Sequence, residues 1–357
     1  MSIDAKMAWR NIWRNPRRTI LTISAIAFAS LLLVFMLSFQ FGSYETMINT
    51  SVKIQTGHLQ IQARNYQDKK NIRLVVPEPA KIANVLNTIP NIQAYTFRGQ
   101  AFSLISSDQR TYGVVVTGID PEREASVSRL KSLVREGEFL AAGDTDQALI
   151  GQLLARNLRA RLGDELTVLG QGRDGSIAAT VVRIKGIFNS GIGDFDRAAI
   201  HIPLQTFQEV YSMQGAVHEV VIIADSLRNI ASIKAAIRAG ISKLKTDNPL
   251  AVLDWDELMP GLRQSIEMDL ISGLIFYLLL VLVVAFSILN TFLMAIFERT
   301  REFGVLMAIG TTPGRLTKVL LIESMTMTLI GIGAGIVFGS LITLYFQAHG
   351  IDFSGAS

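Results

Sequence analysis

Cysteine is absent from all 357 residues. That absence excludes disulfide cross-links, thiolate metal sites and an N-terminal lipidated cysteine. Histidine is scarce. His58, His201, His218 and His349 are scattered, and they read as surface or strand residues rather than as a ligand set. No GxxxxGK[ST] stretch occurs, so no nucleotide-binding P-loop is expected, and HExxH, GxSxG and CxxC are missing as well. Gly170–Gly175 (GQGRDG) does satisfy GxGxxG. A dinucleotide site needs that pattern between a strand and a helix, whereas the β-type sequence SIAATVVRIKG follows here, so it reads as a hairpin loop. Asp194 and Asp196, in GIGDFDRAA, could pair as acids or cation ligands, but glycine and aspartate more simply serve the angles of a turn. No metal site and no catalytic constellation are therefore expected, and the chain does not read as an enzyme in its own right.

Apolar residues make up 49% of the chain, concentrated in a few runs. A membrane span needs about 20 of them at about 1.5 Å rise each. Three stretches qualify as spans, at 19–41, 270–296 and 316–346, and the last two are long enough to tilt or project beyond the bilayer. The first run has the basic start of a signal peptide. Its apolar core is too long for one, and no small-x-small cleavage site closes it, so it reads as a retained span. Lys6, Arg10, Arg14, Arg17 and Arg18 precede the first span, and Arg299, Arg301, Arg315 and Lys318 follow the second. Both flanks should be cytosolic, which leaves residues 42–269 and 347–357 outside. The net charge of +4 is accounted for by these flanks and does not imply nucleic acid as a partner.

The external region alternates strand and helix signals. Strands are expected over Val52–Ile61, Ile92–Ser106, Thr111–Gly118, Leu166–Leu169, Ile177–Ile187, Val217–Ala224 and Leu250–Leu253. Helices are expected over Pro79–Leu86, Ala148–Leu162, Leu204–Tyr211, Leu227–Leu244 and Asp254–Asp269. The fold class is thus a membrane α-helical protein with a large α+β external domain of two subdomains, about 113–205 being inserted into the outer one.

Three groups of residues stand out. Residues 1–18 read as an amphipathic helix on the membrane surface, anchored by Trp9, Arg10, Trp13 and Arg14. Gly331, Gly335 and Gly339 recur every four residues and form a stripe where another helix can approach closely. Between the second and third spans, residues 297–315 read FERTREFGVLMAIGTTPGR. Phe303, Leu306, Met307 and Gly310 share one helical face there, with Glu298, Arg299, Arg301 and Glu302 crowding its start. A protein partner fits this mixture of charge and apolar knobs better than bare lipid does. Glu323, near the same edge of the membrane, either has a role of its own or pairs with a cytosolic basic group.

The segment RTREFGVLMAIGTTPGRLTKVLLIES, followed by GIGAGIVFG, closely resembles the FtsX-like permease domain of ABC transporter subunits in the MacB, LolC/LolE and FtsX superfamily. AWRNIWRNPRRTILT resembles their entry into the first span, and VTGIDPEREA and ALIGQLLARNLRARLGDELTVLG resemble the LolC/LolE external domain. The resemblance implies a multi-pass protein of the bacterial inner membrane with its large domain in the periplasm. It implies a second permease subunit, identical or related, and a cytosolic ABC ATPase dimer that holds ATP and Mg; this chain itself would bind no cofactor. Glu298, Arg299, Arg301, Glu302, Phe303, Gly304, Leu306, Met307 and Gly310 would form the coupling helix on the ATPase. ATP hydrolysis would then move the periplasmic domains, releasing lipoproteins or expelling other amphiphiles.

Two departures from the family pattern follow. Met307 stands where Arg or Lys is usual. Four spans are expected, whereas the sequence stops at Ser357 after three, which reads as truncation before a fourth. Nothing ATPase-like precedes the first span, so a separate ATPase chain is expected. The alternative function is an FtsX-like subunit that transmits motion to a periplasmic partner such as a cell-wall hydrolase; the size of the external domain favours transport.

Overall fold

The computed structural model describes residues 3–108, 110–244 and 248–349. The expected external tail at 347–357 falls outside these from residue 350 onward. Two compact units result, one formed by Met1–Tyr44 with Gln264–Ser357 and the other by Glu45–Arg263.

The first unit is helical. Pro16–Val52, Pro260–Glu298 and Pro313–His349 are long and apolar enough to cross a membrane, with mean hydropathies of 2.6, 2.7 and 2.0 over an 18-residue stretch of each. Each begins at a proline, whose fixed φ suits the first helical turn and whose missing N–H costs nothing there. The Gly331, Gly335 and Gly339 stripe faces the first long helix. A Cβ at Gly331 would lie 2.8 Å from Ile26, at Gly335 2.5 Å from the Ala27 carbonyl oxygen, and at Gly339 3.0 Å from Val34. The two backbones therefore touch along this line, and only glycine permits it. Near the other end of the first two helices, Gln40 donates to Asp269 (3.0 Å) and to Tyr44 (2.6 Å), and Tyr277 donates to Gln40 (2.7 Å). Tyr44 also donates to Asp269. Nothing in the sequence spacing signalled this polar knot, because its members come from two helices far apart in the chain.

Among the described residues the second unit contains twelve strands: β1 (Leu59–Ala63), β2 (Val76–Pro77), β3 (Ile92–Ser106), β4 (Thr111–Ile119), β5 (Val134–Gly137), β6 (Gln147–Gly151), β7 (Glu165–Gln171), β8 (Ile177–Phe188), β9 (Ala199–Pro203), β10 (Ala216–Val217), β11 (Glu219–Ala224) and β12 (Leu250–Asp254). The strands β3–β4–β9–β6–β8–β7 pair in succession, and β7 pairs back onto β3, closing a ring of six. Ile105, Val116, Ile150, Leu166, Val182 and Ile200 fill it. An open sheet, β12–β1–β11–β3, branches from the same β3. Helix Ile230–Ile241 covers that sheet with Ile230, Ile233, Ile237 and Ile241, a single face at helical spacing. Burial of each such side chain contributes about 1.5–3 kcal/mol. Gly99 and Gly118 are paired across β3 and β4, and Phe207 packs over both where side chains would block it.

Several expectations need correction. The strand read over Val52–Ile61 starts only at Leu59, because the first long helix continues to Val52 and reverses through Gly57, whose φ is +67°. The helix read over Ala148–Leu162 is a strand to Gly151 and a helix only over Gln152–Leu158. Its first four residues lie buried between β8 and β9, and Arg159 in the left-handed region (φ 55°) ends the helix. Asp254–Asp269 is interrupted at Met259, since Pro260 disfavours helical backbone at the residue before it. A subdomain boundary at 113 falls inside β4, and the ring already draws on β3 before that point. GQGRDG does form the β7–β8 hairpin loop.

Of the histidines read as surface or strand residues, His201 lies in β9 and His58 and His218 directly precede β1 and β11; all three are buried. Asp194 and Asp196 do not converge. Asp196 is buried and accepts from the Ser190 amide (2.9 Å) and hydroxyl (2.7 Å), while Asp194 points out toward Arg197 at 3.6 Å. Desolvation lowers the pKa of each of the three histidines to about 4. Between about 4 and 6.5 the unfolded chain then binds more protons than the folded one, so stability is lost as pH falls through that window and is level above it. Thermal unfolding followed from pH 7.5 to 4.5 should show this decline, and His218→Gln should make it shallower.

Candidate functional site

The segment between the second and third long helices folds into its own helix, Thr300–Ala308. Thr300 hydrogen-bonds back to the Ile296 carbonyl (3.0 Å) at its start. At its end Gly310 takes a φ of +102°, and the amides of Gly310 and Thr311 reach the Met307 and Leu306 carbonyls, each at 3.0 Å. This left-handed glycine stop satisfies carbonyls that would otherwise be orphaned and fixes the helix length.

Alternating charges pin the helix in place. Arg14 grips Glu302 with both carboxylate oxygens, at 2.6 and 2.7 Å. Arg299 reaches Glu302 at 3.3 Å and Glu323 at 3.4 Å. Arg18 reaches Glu298 at 3.0 Å and lies 4.0 Å from Glu323. Three arginines and three glutamates thus form one neutral chain that joins the N-terminal segment and the start of the first long helix to the end of the second, the first turns of the third and the short helix. Its middle is desolvated, with Glu323 and Arg299 only 3% and 8% exposed. The two Arg14 hydrogen bonds hold the Glu302 carboxyl below the usual carboxylate range, so it stays ionised at neutral pH.

The expected coupling residues therefore divide. Arg299 is interior scaffold, and its guanidinium lies 5.3 Å from the Phe303 ring centroid. Phe303 and Leu306 are half-buried, whereas Met307, Arg301, Gly304 and Gly310 are exposed. The most outward apolar groups are Val305 (64% exposed) and Ile309 (75%), at i and i+4, which the expected face did not include. The buried arginine, packed beside Phe303, turns that ring inward and leaves Val305 and Ile309 outward. A cavity of about 600 Å³ beside the helix is lined by Met7, Asn11, Arg14, Phe303, Leu306 and Leu316, among others. Of the expected membrane anchors, Trp9 and Trp13 are half exposed with rings 6.1 Å apart, and Arg10 is exposed. Arg14 is committed to Glu302, and helix Ile3–Ile12 turns its Ala8 and Ile12 inward. Nothing here resembles a catalytic group set. The arrangement suits transmission of force, with an exposed apolar knob carried on a helix that cannot shift alone.

The family of MacB-like periplasmic core domains matches residues 19–239, and the FtsX-like permease C-terminal family matches residues 274–356. The chain belongs to the MacB, LolC/LolE and FtsX superfamily of ABC transporter permeases. Among curated relatives of this permease, the lipoprotein-releasing system transmembrane protein LolC of Xylella fastidiosa (strain 9a5c) is 23% identical over 248 residues, 66% of this chain and 57% of that protein. The macrolide export ATP-binding/permease protein MacB of Shewanella oneidensis is 24% identical over 368 residues, 98% of this chain and 54% of that protein. The crystal structure of the periplasmic region of MacB from Actinobacillus actinomycetemcomitans is 13% identical at a TM-score of 0.42, covering 60% of this chain and 94% of that one. The permease spans about half the length of the curated relatives it matches.

Removing one partner of a buried pair strands the other charge, at a cost of about 3–5 kcal/mol. Arg299→Gln should therefore depress the melting temperature in detergent, and Arg299→Gln with Glu323→Gln should recover most of the loss. In the glycine stripe, Gly335→Val should sharply reduce accumulation of the folded permease. Gly333→Val, at a glycine with nothing within 4 Å of its missing Cβ, should not; immunoblotting of membranes distinguishes the two.

Proposed function

We propose that the permease is the membrane subunit of an ATP-driven complex. A separate cytosolic ABC ATPase dimer, holding ATP and Mg, docks on the exposed side of Thr300–Ala308, and its cycle is passed through the long helices to the extracytoplasmic domain. The observation that carries this reading is the ion-paired mounting of that short helix. Arg14–Glu302 and Arg299–Glu323 bind the short helix and its first flanking residue to the N-terminal segment and the third long helix, and Arg18–Glu298 ties the first long helix to the second beside it, so that the short helix moves with its neighbours. Val305 and Ile309 supply the apolar contact for a partner, rimmed by Arg301. The work done is the extraction of lipoproteins, or the expulsion of other amphiphiles, from the periplasmic side of a bacterial inner membrane. The similarity to LolC supports the first and the similarity to MacB the second. A second permease subunit, identical or related, completes the complex.

Purification in mild detergent from the native membrane tests this. A stoichiometric P-loop ATPase with ATP hydrolysis is expected, and Val305→Glu with Ile309→Glu should abolish both while the permease itself accumulates normally. Absence of any ATPase under gentle conditions would overturn the proposal. A bound periplasmic hydrolase in place of substrate would move it to the FtsX-like reading.

A further inference from the structure

The extracytoplasmic unit holds a cavity of about 590 Å³ that the proposed coupling does not use. Thr56, Arg98, Gln100, Glu124, His201 and Met259 are among its lining residues. It lies where the chain leaves the first long helix, after Val52, and where it prepares to enter the second, at Pro260. Ile48 and Val52 pack the end of the first long helix, but the free space beside them is not filled by packing. Something else must bridge it.

Arg98 does so. Its side chain, 6% exposed, leaves β3 and donates from Nε and Nη2 to the two carboxylate oxygens of Glu124, at 3.0 and 2.6 Å. Glu124 is 2% exposed and sits on helix Pro121–Val127, whose start is fixed by Asp120 accepting from the amides of Glu122 and Arg123. The remaining terminal nitrogen, Nη1, donates to the carbonyl of Gln55, in the turn that follows the first long helix. A second bond runs parallel, from the Arg129 amide to the Lys53 carbonyl at 2.9 Å. On the far side of the same turn, the Ala224 amide donates to His58 Nδ1 (3.0 Å), so His58 Nε2 carries the proton and donates to Asn49 in the helix (2.9 Å).

We infer that Arg98 is the positioning residue that locks the end of the first long helix to β3 and to helix Pro121–Val127, so that a displacement of that helix moves the sheet instead of being absorbed by the cavity. The inference rests on the proposed transmission of motion. The planar guanidinium is what makes the joint stiff. Three donors in one rigid fork fix a strand, a helix and a turn at defined angles, in a desolvated setting where each bond is strong. A lysine keeps the charge and can reach Glu124, but it has no fork and cannot hold all three at once.

Absence of native cysteine allows paired spin labels to be placed freely. Labels at the exposed positions Thr50 and Glu122 report the distance from the helix end to the clamped helix, and a control pair at Glu122 and Gln152 reports the fold. In the nucleotide-free full chain, the first distance should be narrow, and Arg98→Lys should broaden it about twofold while leaving the control pair unchanged. Glu124→Gln, which keeps shape but weakens the grip, should broaden it less. An unchanged width in Arg98→Lys overturns the inference, and so does equal broadening of the control pair, which would mark Arg98 as a general fold residue. In the purified complex, Arg98→Lys should retain ATPase activity while the Thr50–Glu122 distance becomes dependent on nucleotide. If no nucleotide response appears at this pair in either protein but the nucleotide-free widths still differ, the lock stands and the proposed transmission fails.

Discussion

A charge that must sit beside hydrocarbon is the constraint around which the membrane unit is organised. Glu323 lies in the first turns of a long apolar helix, almost without exposure, where a buried carboxylate needs a partner. Arg299 answers it, and Arg299 can do so only if the second long helix ends where it does and the short helix begins at once. Arg14 and Arg18 then find Glu302 and Glu298 within reach. The short helix is therefore not a loop that happens to be helical. Its position follows from neutralising one buried carboxylate, and the glycine stripe on the same long helix sets how near the first helix, with its arginines, can come.

The same logic recurs outside the membrane. In the extracytoplasmic unit a buried arginine and glutamate again join neighbouring elements, beside a cavity rather than beside lipid. Buried ion pairs add little net stability compared with a well-packed apolar contact, because desolvation offsets the attraction. What they supply in both places is geometry: directional bonds between elements that meet at a few points only.

Much of this architecture was legible from local pattern. The spans follow from apolar length, the glycine stripe from its spacing of four, and the β7–β8 hairpin from the β-type residues that flank GQGRDG. What escaped was non-local. The ring closes between β3 and β7, and no window of sequence contains both. Ala148–Gly151 is apolar in a way that suits strand and helix alike, and only its neighbours β8 and β9 decide. Charge and apolar patterning marked a helix between the second and third long helices, which forms at Thr300–Ala308, yet which of its faces turns outward depended on Arg299 and its partner Glu323. The histidines looked peripheral because solitary polar residues usually are; here the backbone amides of Gln100 and Ala224 seek ring nitrogens inside the fold.

The strand order also bears on how the protein is made. β1 is the first strand to emerge, and it pairs only with β11 and β12, both near the end of the extracytoplasmic unit. Through most of translocation, then, Leu59 and Ile61 sit on an edge with no neighbour, and the loop that must close on them is nearly as long as the domain. High-separation pairing of this kind is slow and leaves sticky edges in the interval. The open sheet cannot seal around β1 until the last strand before the second long helix has crossed, so an arrested or prematurely released chain carries a visible mark of its incompleteness.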